Sequence, residues 1–227
     1  MKIIQVSDIH IGGDYDGQFK VKKNFEEVIN KIPQSIDLLV ISGDIADTDY
    51  EANYNYVKNF LENNIKCPIV YLCGNHDNGE AMSKVFDNCV VGKNPFVMSG
   101  SNSIITFIDT SKGVLSKETA RLIPNNSIIF THYPLVSVPH KFMNKFSLKN
   151  LEEARELLIE KKVKDVFCGH FHYAYDELSE VNIHITPATQ CQIDAREKEF
   201  KVGSYKPGYR FIEIENEIVK NTTIHYL

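Results

Sequence analysis

The chain has 227 residues, enough for one sizeable hydrophobic core, and its 43% hydrophobic and 24% charged residues exclude disorder as the default state. A formal net charge of −5 argues against a nucleic-acid backbone as the main partner, because binding a polyanion leaves a basic footprint. Five cysteines, an odd number without a C-x-x-C pair, and no apolar run long enough to span a bilayer point to a cytoplasmic protein with reduced thiols and no membrane partner.

Taken in chain order, Lys2 to Val6 is a short β-rich run, after which Phe25, Val28, Ile29 and Ile32 recur at helical spacing until Pro33. Ile36 to Ile41 has the continuous apolar character of a buried parallel strand. Tyr54, Val57 and Leu61 mark one face of a second helix, and Ile69 to Cys73 is a third strand. Strand, helix, strand, helix, strand predicts an α/β layer architecture with parallel crossovers.

The second half is richer in strands. Ser103 to Ile108, Ser127 to Phe130 and Val163 to Cys168 are short apolar runs, with a helix marked by Leu151, Ala154 and Leu158 before the last. Tyr173 to Leu178 and Val181 to Ile185 form an expected hairpin about Ser179-Glu180; Tyr209 to Ile214 and Ile218 to His225 form another about Glu215-Asn216-Glu217. Asn88 to Asn102 and Ala195 to Pro207 read as long surface loops. Two stacked sheets flanked by helices fit this order, and the absence of a linker predicts a single domain over residues 1–227.

The chemistry-bearing residues fall directly after apolar strands. Asp8-Ile9-His10 follows the first, Gly43-Asp44 the second, Gly74-Asn75-His76-Asp77 the third, and His132 and Gly169-His170-Phe171-His172 follow later ones. In open α/β sheets ligands bind at the carboxyl ends of strands, so these motifs are expected to converge on one crevice. In an extended segment residues i and i+2 point the same way, which would let Asp8 and His10, and again His170 and His172, each present a pair of ligands. Carboxylate, amide and imidazole donors without thiolate suit Mn, Fe, Zn, Co or Ni better than Ca. Alone, any one of these residues would pass for a strand-end cap. Asp44 is the candidate to bridge two cations, an arrangement suited to phosphoryl chemistry.

This series, in this order, resembles the full motif set of the calcineurin-like metallophosphoesterase superfamily. The resemblance implies a four-layer α/β/β/α sandwich with two divalent metal ions. Asp8, His10, Asp44 and His172 would hold one metal, and Asp44, Asn75, His132 and His170 the other. It further implies that a metal-activated hydroxide attacks the phosphorus, with His76 facing the substrate as donor or general acid and Asp77 orienting it. A narrower resemblance, carried by His132-Tyr133-Pro134, Cys168 to His172, Thr186 to Gln192 and Pro207 to Arg210, is to bacterial class III cyclic-nucleotide phosphodiesterases. It implies a small phosphodiester substrate such as 3′,5′-cyclic AMP and leaves a homodimer open. The chain is shorter than that branch around Ser111 to Pro124. A phosphomonoesterase or glycerophosphodiesterase on the same cluster, and a metal-binding interaction module without catalysis, are the competing functions.

Other polar residues receive plainer expectations. His140, His184 and His225 read as solvent-facing, and Arg210, in an alternating strand, as an exposed charge. Tyr133 fits equally a ring stacked on a nucleobase and one packed beneath the site, while Thr186 to Gln192 would border the pocket. Lys161, Lys162 and Lys164 read as a solvated helix end.

Overall fold

A computed structural model describes residues 1–14, 17–100 and 103–227. Along the first half run β1 (Lys2–Val6), α1 (Val21–Lys31), β2 (Leu38–Ile41), α2 (Tyr50–Asn64), β3 (Ile69–Leu72), α3 (Gly79–Val85), β4 (Cys89–Val90), β5 (Phe96–Gly100) and β6 (Ser103–Phe107). There follow α4 (Lys117–Leu122), β7 (Ile128–Phe130), a 3-10 turn (Met143–Phe146), α5 (Leu151–Glu160), β8 (Asp165–Cys168), β9 (Tyr175–Glu177), β10 (Asn182–Ile185), β11 (Gln192–Ile193), β12 (Val202–Ser204), β13 (Gly208–Glu215) and β14 (Ile218–Tyr226).

The strands form two mixed six-stranded sheets, ordered β14-β13-β1-β2-β3-β4 and β5-β6-β7-β8-β10-β9, with β11 and β12 as a separate pair. Within the first sheet β1, β2, β3 and β4 run parallel, while β13 pairs antiparallel with β1. Alternation along each strand then assigns side chains to layers. Ile4, Val6, Leu39 and Ile41 pack under α1, α2 and α3, whereas Ile3, Leu38, Val40 and Val70 meet Phe107, Phe130 and Phe167 of the second sheet. The far face of that sheet, with Ile129, Val166, Ile183 and Ile185, is covered by α4 and α5. The result is the expected α/β/β/α order.

Both expected hairpins form, as β9/β10 and β13/β14. The two expected loops need correction. Asn88 to Asn102 contains β4, paired in parallel with β3, and β5, an antiparallel edge strand on β6; Asn102 itself lies outside the described residues. Ala195 to Pro207 contains β12. These pieces are short and interrupted by Gly92, Pro95 and Gly203, so their pairing comes from the neighbouring strand rather than from a pattern of their own.

His184 and Arg210 are also corrected, because both are buried. With two stacked sheets, the alternate face of an inner strand meets the other sheet instead of water. His184 lies in register with Phe167 and stacks on it at 4.6 Å, between Asp165 and Asp176. Arg210 shares a strand face with Ile212 and reaches across the interface, donating from Nη2 to the Ile185 carbonyl at 2.9 Å and meeting Asp176 at 3.0 Å; Nη1 donates to Thr222 Oγ1 on β14. Arg210 thus clamps one sheet to the other. His140 is likewise buried, beside Phe171 and Tyr173, while His225 is exposed as expected. Lys161 caps α5 and donates to the Arg121 carbonyl. No helix among the described residues is long and apolar enough to cross a membrane.

A candidate metal centre

The strand-end motifs meet where the carboxyl ends of β1, β2, β3, β7 and β8 come together. Ser42 N donates to the Val6 carbonyl and Asp8 N to Gly43 O within the first sheet's turns, Gly169 N donates to His132 O within the second's, and His170 N crosses between them to the Asp8 carboxylate. Gly43 has φ +98°, and a Cβ there would press into the imidazole of His132 at 2.5 Å. A Cβ on Gly74 would collide with the Asp44 backbone and carboxylate, so that turn passes flat against its neighbour.

Convergence is achieved differently from the expectation of extended segments. Asp8, His10, Asp44, His170 and His172 all have left-handed backbones, with φ of 55°, 55°, 52°, 67° and 47°. Asp and His tolerate this region better than most residues, yet each such position carries strain, here concentrated on the side chains that face one point.

Three groups of potential ligand atoms result, each within 4.8 Å: Asp8, His10 and His172; His10, Asp44 and His76; Asp44, His132 and His170. Asn75 joins the last group, its Oδ1 3.1 Å from His132 Nε2, and Asp44 Oδ2 lies 3.3 Å from His132 Nε2 and 3.7 Å from His10 Nε2. Asp44 therefore stands between two clusters.

Each imidazole has one nitrogen held from behind. His10 Nδ1 donates to Asp47 Oδ1 at 2.7 Å, His132 Nδ1 to the Ser42 carbonyl at 2.9 Å, His172 Nδ1 to the Cys191 carbonyl at 3.0 Å and His170 Nε2 to the Phe146 carbonyl at 3.0 Å. The other nitrogen of each ring points inward and, in the neutral imidazole, offers its lone pair there, the usual support for a metal-ligating histidine. The consequence is sharpest at His10 and His172, whose Nε2 atoms face each other at 3.0 Å. Two lone pairs at that distance repel unless a proton or a cation lies between them. Asp8 and Asp44 add two buried carboxylates, and among the described residues no Lys or Arg pairs with either. Buried charge of this kind calls for a positive centre, so the donor set fits divalent cations.

Electrostatics inside the cluster follow the same logic. Burial opposes protonation of His10, but the Asp47 hydrogen bond and the Asp44 charge raise it to about 9; for His132 burial is again overcome, chiefly by Asp44, to about 9. Burial and then the neighbouring His132 push His170 down to about 3, and burial with His10 holds His172 well below its ordinary value. Burial disfavours charge on Asp44, yet His132 and His10 keep it ionised. Asp8 is raised by burial, an effect only partly offset by His132.

His76 sits at the rim, its side chain 47% exposed, with Nδ1 3.1 Å from Asp47 Oδ1 and its backbone N–H on Asp44 Oδ1. Asp77 does not orient it. Its carboxylate turns inward instead, accepting from the backbone of Gly74, Ile45 and Ala46 and from the Tyr54 hydroxyl, and so braces the turn. Burial followed by the Asp44 charge raises Asp77 to about 6. The residue that holds His76 is Asp47, which sequence reading passed over; its one signal was a carboxylate three positions after Asp44 in the same strand-end turn.

A cavity of about 480 Å³ opens over the cluster. Its lining joins the polar side chains of His10, Asp44, Asn75, His76, His170 and His172 to the apolar ones of Phe142, Met143, Phe146, Ile193 and Phe200. Tyr133 also lines it, packed on His170 at 4.0 Å between ring centroids and mostly buried. Gln190 reaches the cavity edge from the Thr186 to Gln192 loop, whose backbone is tied to Ser7 and Asp8.

The family model for calcineurin-like phosphoesterases matches residues 1–174. A protein of Fibrobacter succinogenes, named as a probable cyclic nucleotide phosphodiesterase, is 35% identical over 94% of this chain and 89% of its own. The 3′,5′-cyclic adenosine monophosphate phosphodiesterase CpdA of Escherichia coli K12 is 23% identical over 100% of this chain and 90% of its own. Among solved structures, a purple acid phosphatase from yellow lupin superposes with a TM-score of 0.65 at 13% identity, covering this whole chain, which spans 51% of the lupin chain's length. Vps29 of Entamoeba histolytica, complexed with zinc, covers 100% of this chain and 98% of its own with a TM-score of 0.51 at 10% identity. Those two likenesses speak for the fold. With the family model spanning residues 1–174 and relatives aligned along nearly the whole length, the chain belongs to the calcineurin-like phosphoesterase family and is a metal-dependent phosphoric ester hydrolase.

Proposed function

We propose that the protein hydrolyses a small phosphodiester, a 3′,5′-cyclic nucleotide of the cyclic AMP type, with two divalent cations held in unequal sites that share Asp44. Asp8, His10, Asp44 and His172 would hold one cation, and Asp44, Asn75, His132 and His170 the other. When bound, such a pair supplies a nucleophilic oxygen at neutral pH and neutralises charge on the phosphoryl oxygens. The protein's own part is positional: Asp47 and the carbonyls of Ser42, Phe146 and Cys191 set the imidazole tautomers. His76, outside both sites and steadied by Asp47, offers a proton to the departing ester oxygen.

The observation that carries this reading is the mixed lining of the cavity, in which the polar donors of the cluster are joined by aromatic and aliphatic side chains. No Lys or Arg lines it among the described residues, so beyond the cations no fixed positive charge awaits the second negative charge of a phosphomonoester. The names borne by the Fibrobacter and Escherichia relatives point the same way. The test is Mn-loaded protein assayed on cyclic AMP, a glycerophosphodiester, an aryl phosphodiester and an aryl phosphomonoester, with Asp44→Asn as the blank. Turnover of cyclic AMP above the blank is expected. Turnover of the monoester alone would overturn the diesterase reading.

A further inference from the structure

The aromatic side of the cavity is built rather than incidental. Phe142 precedes the 3-10 turn and Phe146 ends it, with ring centroids 5.3 Å apart and planes at 63°, and Phe200, from a segment far along the chain, meets Phe142 at 6.1 Å. The two segments are fastened together. Lys141 N donates to the Ala195 carbonyl at 2.9 Å, and Lys145 Nζ donates to the Lys198 carbonyl at 2.6 Å while lying 5.5 Å over the Phe142 ring.

Phe146 and Phe200 are nonetheless 48% and 52% exposed, and packing in the core does not account for them. Two half-exposed phenylalanines on a braced support, lining the same cavity as the polar donors, offer apolar surface to a ligand. The support is also in register with the centre, because the Phe146 carbonyl accepts the hydrogen bond from His170 Nε2. The backbone that carries the Phe146 ring is thereby tied to the centre. A flat π-surface suits such rings, an anionic or branched polar group does not, and the cation they could also accept is already supplied to Phe142 by Lys145.

We propose that Phe146 and Phe200, supported by Phe142, form the subsite for the planar heteroaromatic base of the substrate, so that these two rings set the preference for a nucleotide over an acyclic phosphodiester. The proposal rests on the cyclic-nucleotide reading above for the identity of the substrate, and on the aromatic geometry alone for the chemistry of the subsite.

The test compares wild type with Phe146→Ala, Phe200→Ala and the double variant, Mn-loaded, on cyclic AMP and on glycerophosphoethanolamine, which carries a phosphodiester and no ring. Loss of base stacking on an aromatic side chain should lower the ratio of kcat/KM for cyclic AMP over glycerophosphoethanolamine by about fivefold or more per ring, chiefly through KM. Metal content measured on each variant establishes that the centre is intact. In parallel, chelator-treated wild-type protein with ring-labelled phenylalanine is titrated with adenosine, which lacks a phosphate, and the Phe146 and Phe200 resonances should move. If cyclic AMP is hydrolysed and the double variant keeps the wild-type ratio, the subsite is wrong and the phosphodiesterase reading stands. If cyclic AMP is not hydrolysed but adenosine moves both ring signals, the subsite stands and the substrate reading falls. Unmoved ring signals together with an unchanged ratio would overturn the proposal.

Discussion

Replacing Asp47 by alanine removes the one carboxylate oxygen that serves two histidines, at 2.7 Å from His10 Nδ1 and 3.1 Å from His76 Nδ1. Its side chain is 9% exposed and that of His10 is 5% exposed, so water does not readily substitute for the lost acceptor. His10 is then free to rotate or change tautomer, and Nε2 is no longer held as the inward ligand atom. Loss of such a supporting contact weakens metal affinity by roughly 10–100-fold, about 1.4–2.8 kcal/mol. That loss should be unequal. The site containing His10 takes the full effect, whereas His132 and His170 rest on the carbonyls of Ser42 and Phe146, which the substitution leaves in place. Competition against a chelating dye should therefore show one Mn dissociation constant rising by that factor and the other moving far less. Two constants that rise together, or two that stay within twofold of wild type, would refute the assignment of Asp47 to one site.

Three further outcomes are expected. His76→Ala should retain the metal content of wild type by elemental analysis while kcat falls by roughly 10²–10⁴, the range for a lost acid or base; loss of metal would contradict its proposed place outside the coordination sphere. Arg210→Met removes a buried cation from a partner that is 38% exposed, so the cost in urea denaturation should lie near the low end for a broken buried pair, about 3 kcal/mol, and a change below about 1 kcal/mol would show the sheet-to-sheet clamp to be dispensable. The third concerns pH. Although burial opposes it, the hydrogen bonds to Asp165 and Asp176 raise His184, so its contribution is complete below its ordinary value of 6.5 and is lost as pH rises through the raised value. Asp176, lowered by His184 and Arg210 against the effect of burial, contributes fully above 3.8 and loses that contribution as pH falls. The stability advantage of wild type over His184→Asn should thus be greatest between about pH 4 and 6.5 and shrink toward alkaline pH; an advantage that grows above pH 8 would contradict the bonding seen here.

The grouping of Asp8, His10, Asp44, Asn75, His132, His170 and His172 could be read from the chain because each follows an apolar run, and apolar runs of that length are buried strands whose carboxyl ends share one rim. The geometry that joins them could not, since left-handed turns at Asp8 and His172 leave no periodicity behind. The family resemblance implies that Asp77 orients His76, yet the Asp77 carboxylate turns inward to its own turn, and the side chain that reaches His76 comes from Asp47, far away in sequence. Alternation also misled at His184 and Arg210. Period two distinguishes the two faces of a strand without saying that one of them is wet, and a second stacked sheet makes both dry. The aromatic wall had no pattern to announce it, because Phe142, Phe146 and Phe200 lie in irregular segments brought together by two backbone acceptors.

The left-handed backbone at Asp8, His10, Asp44, His170 and His172 has an evolutionary consequence. Glycine would relieve that strain, of order 1–3 kcal/mol at each position, and would also discharge the buried carboxylates and imidazoles. Every step that erases the centre therefore tends to raise the stability of the metal-free fold, a strong incline for a protein class whose total margin is only about 5–15 kcal/mol. Abandoning catalysis and keeping the two-sheet scaffold is the downhill direction on this landscape. A lineage that retains the whole proposed ligand set is being held uphill by selection on what the centre does.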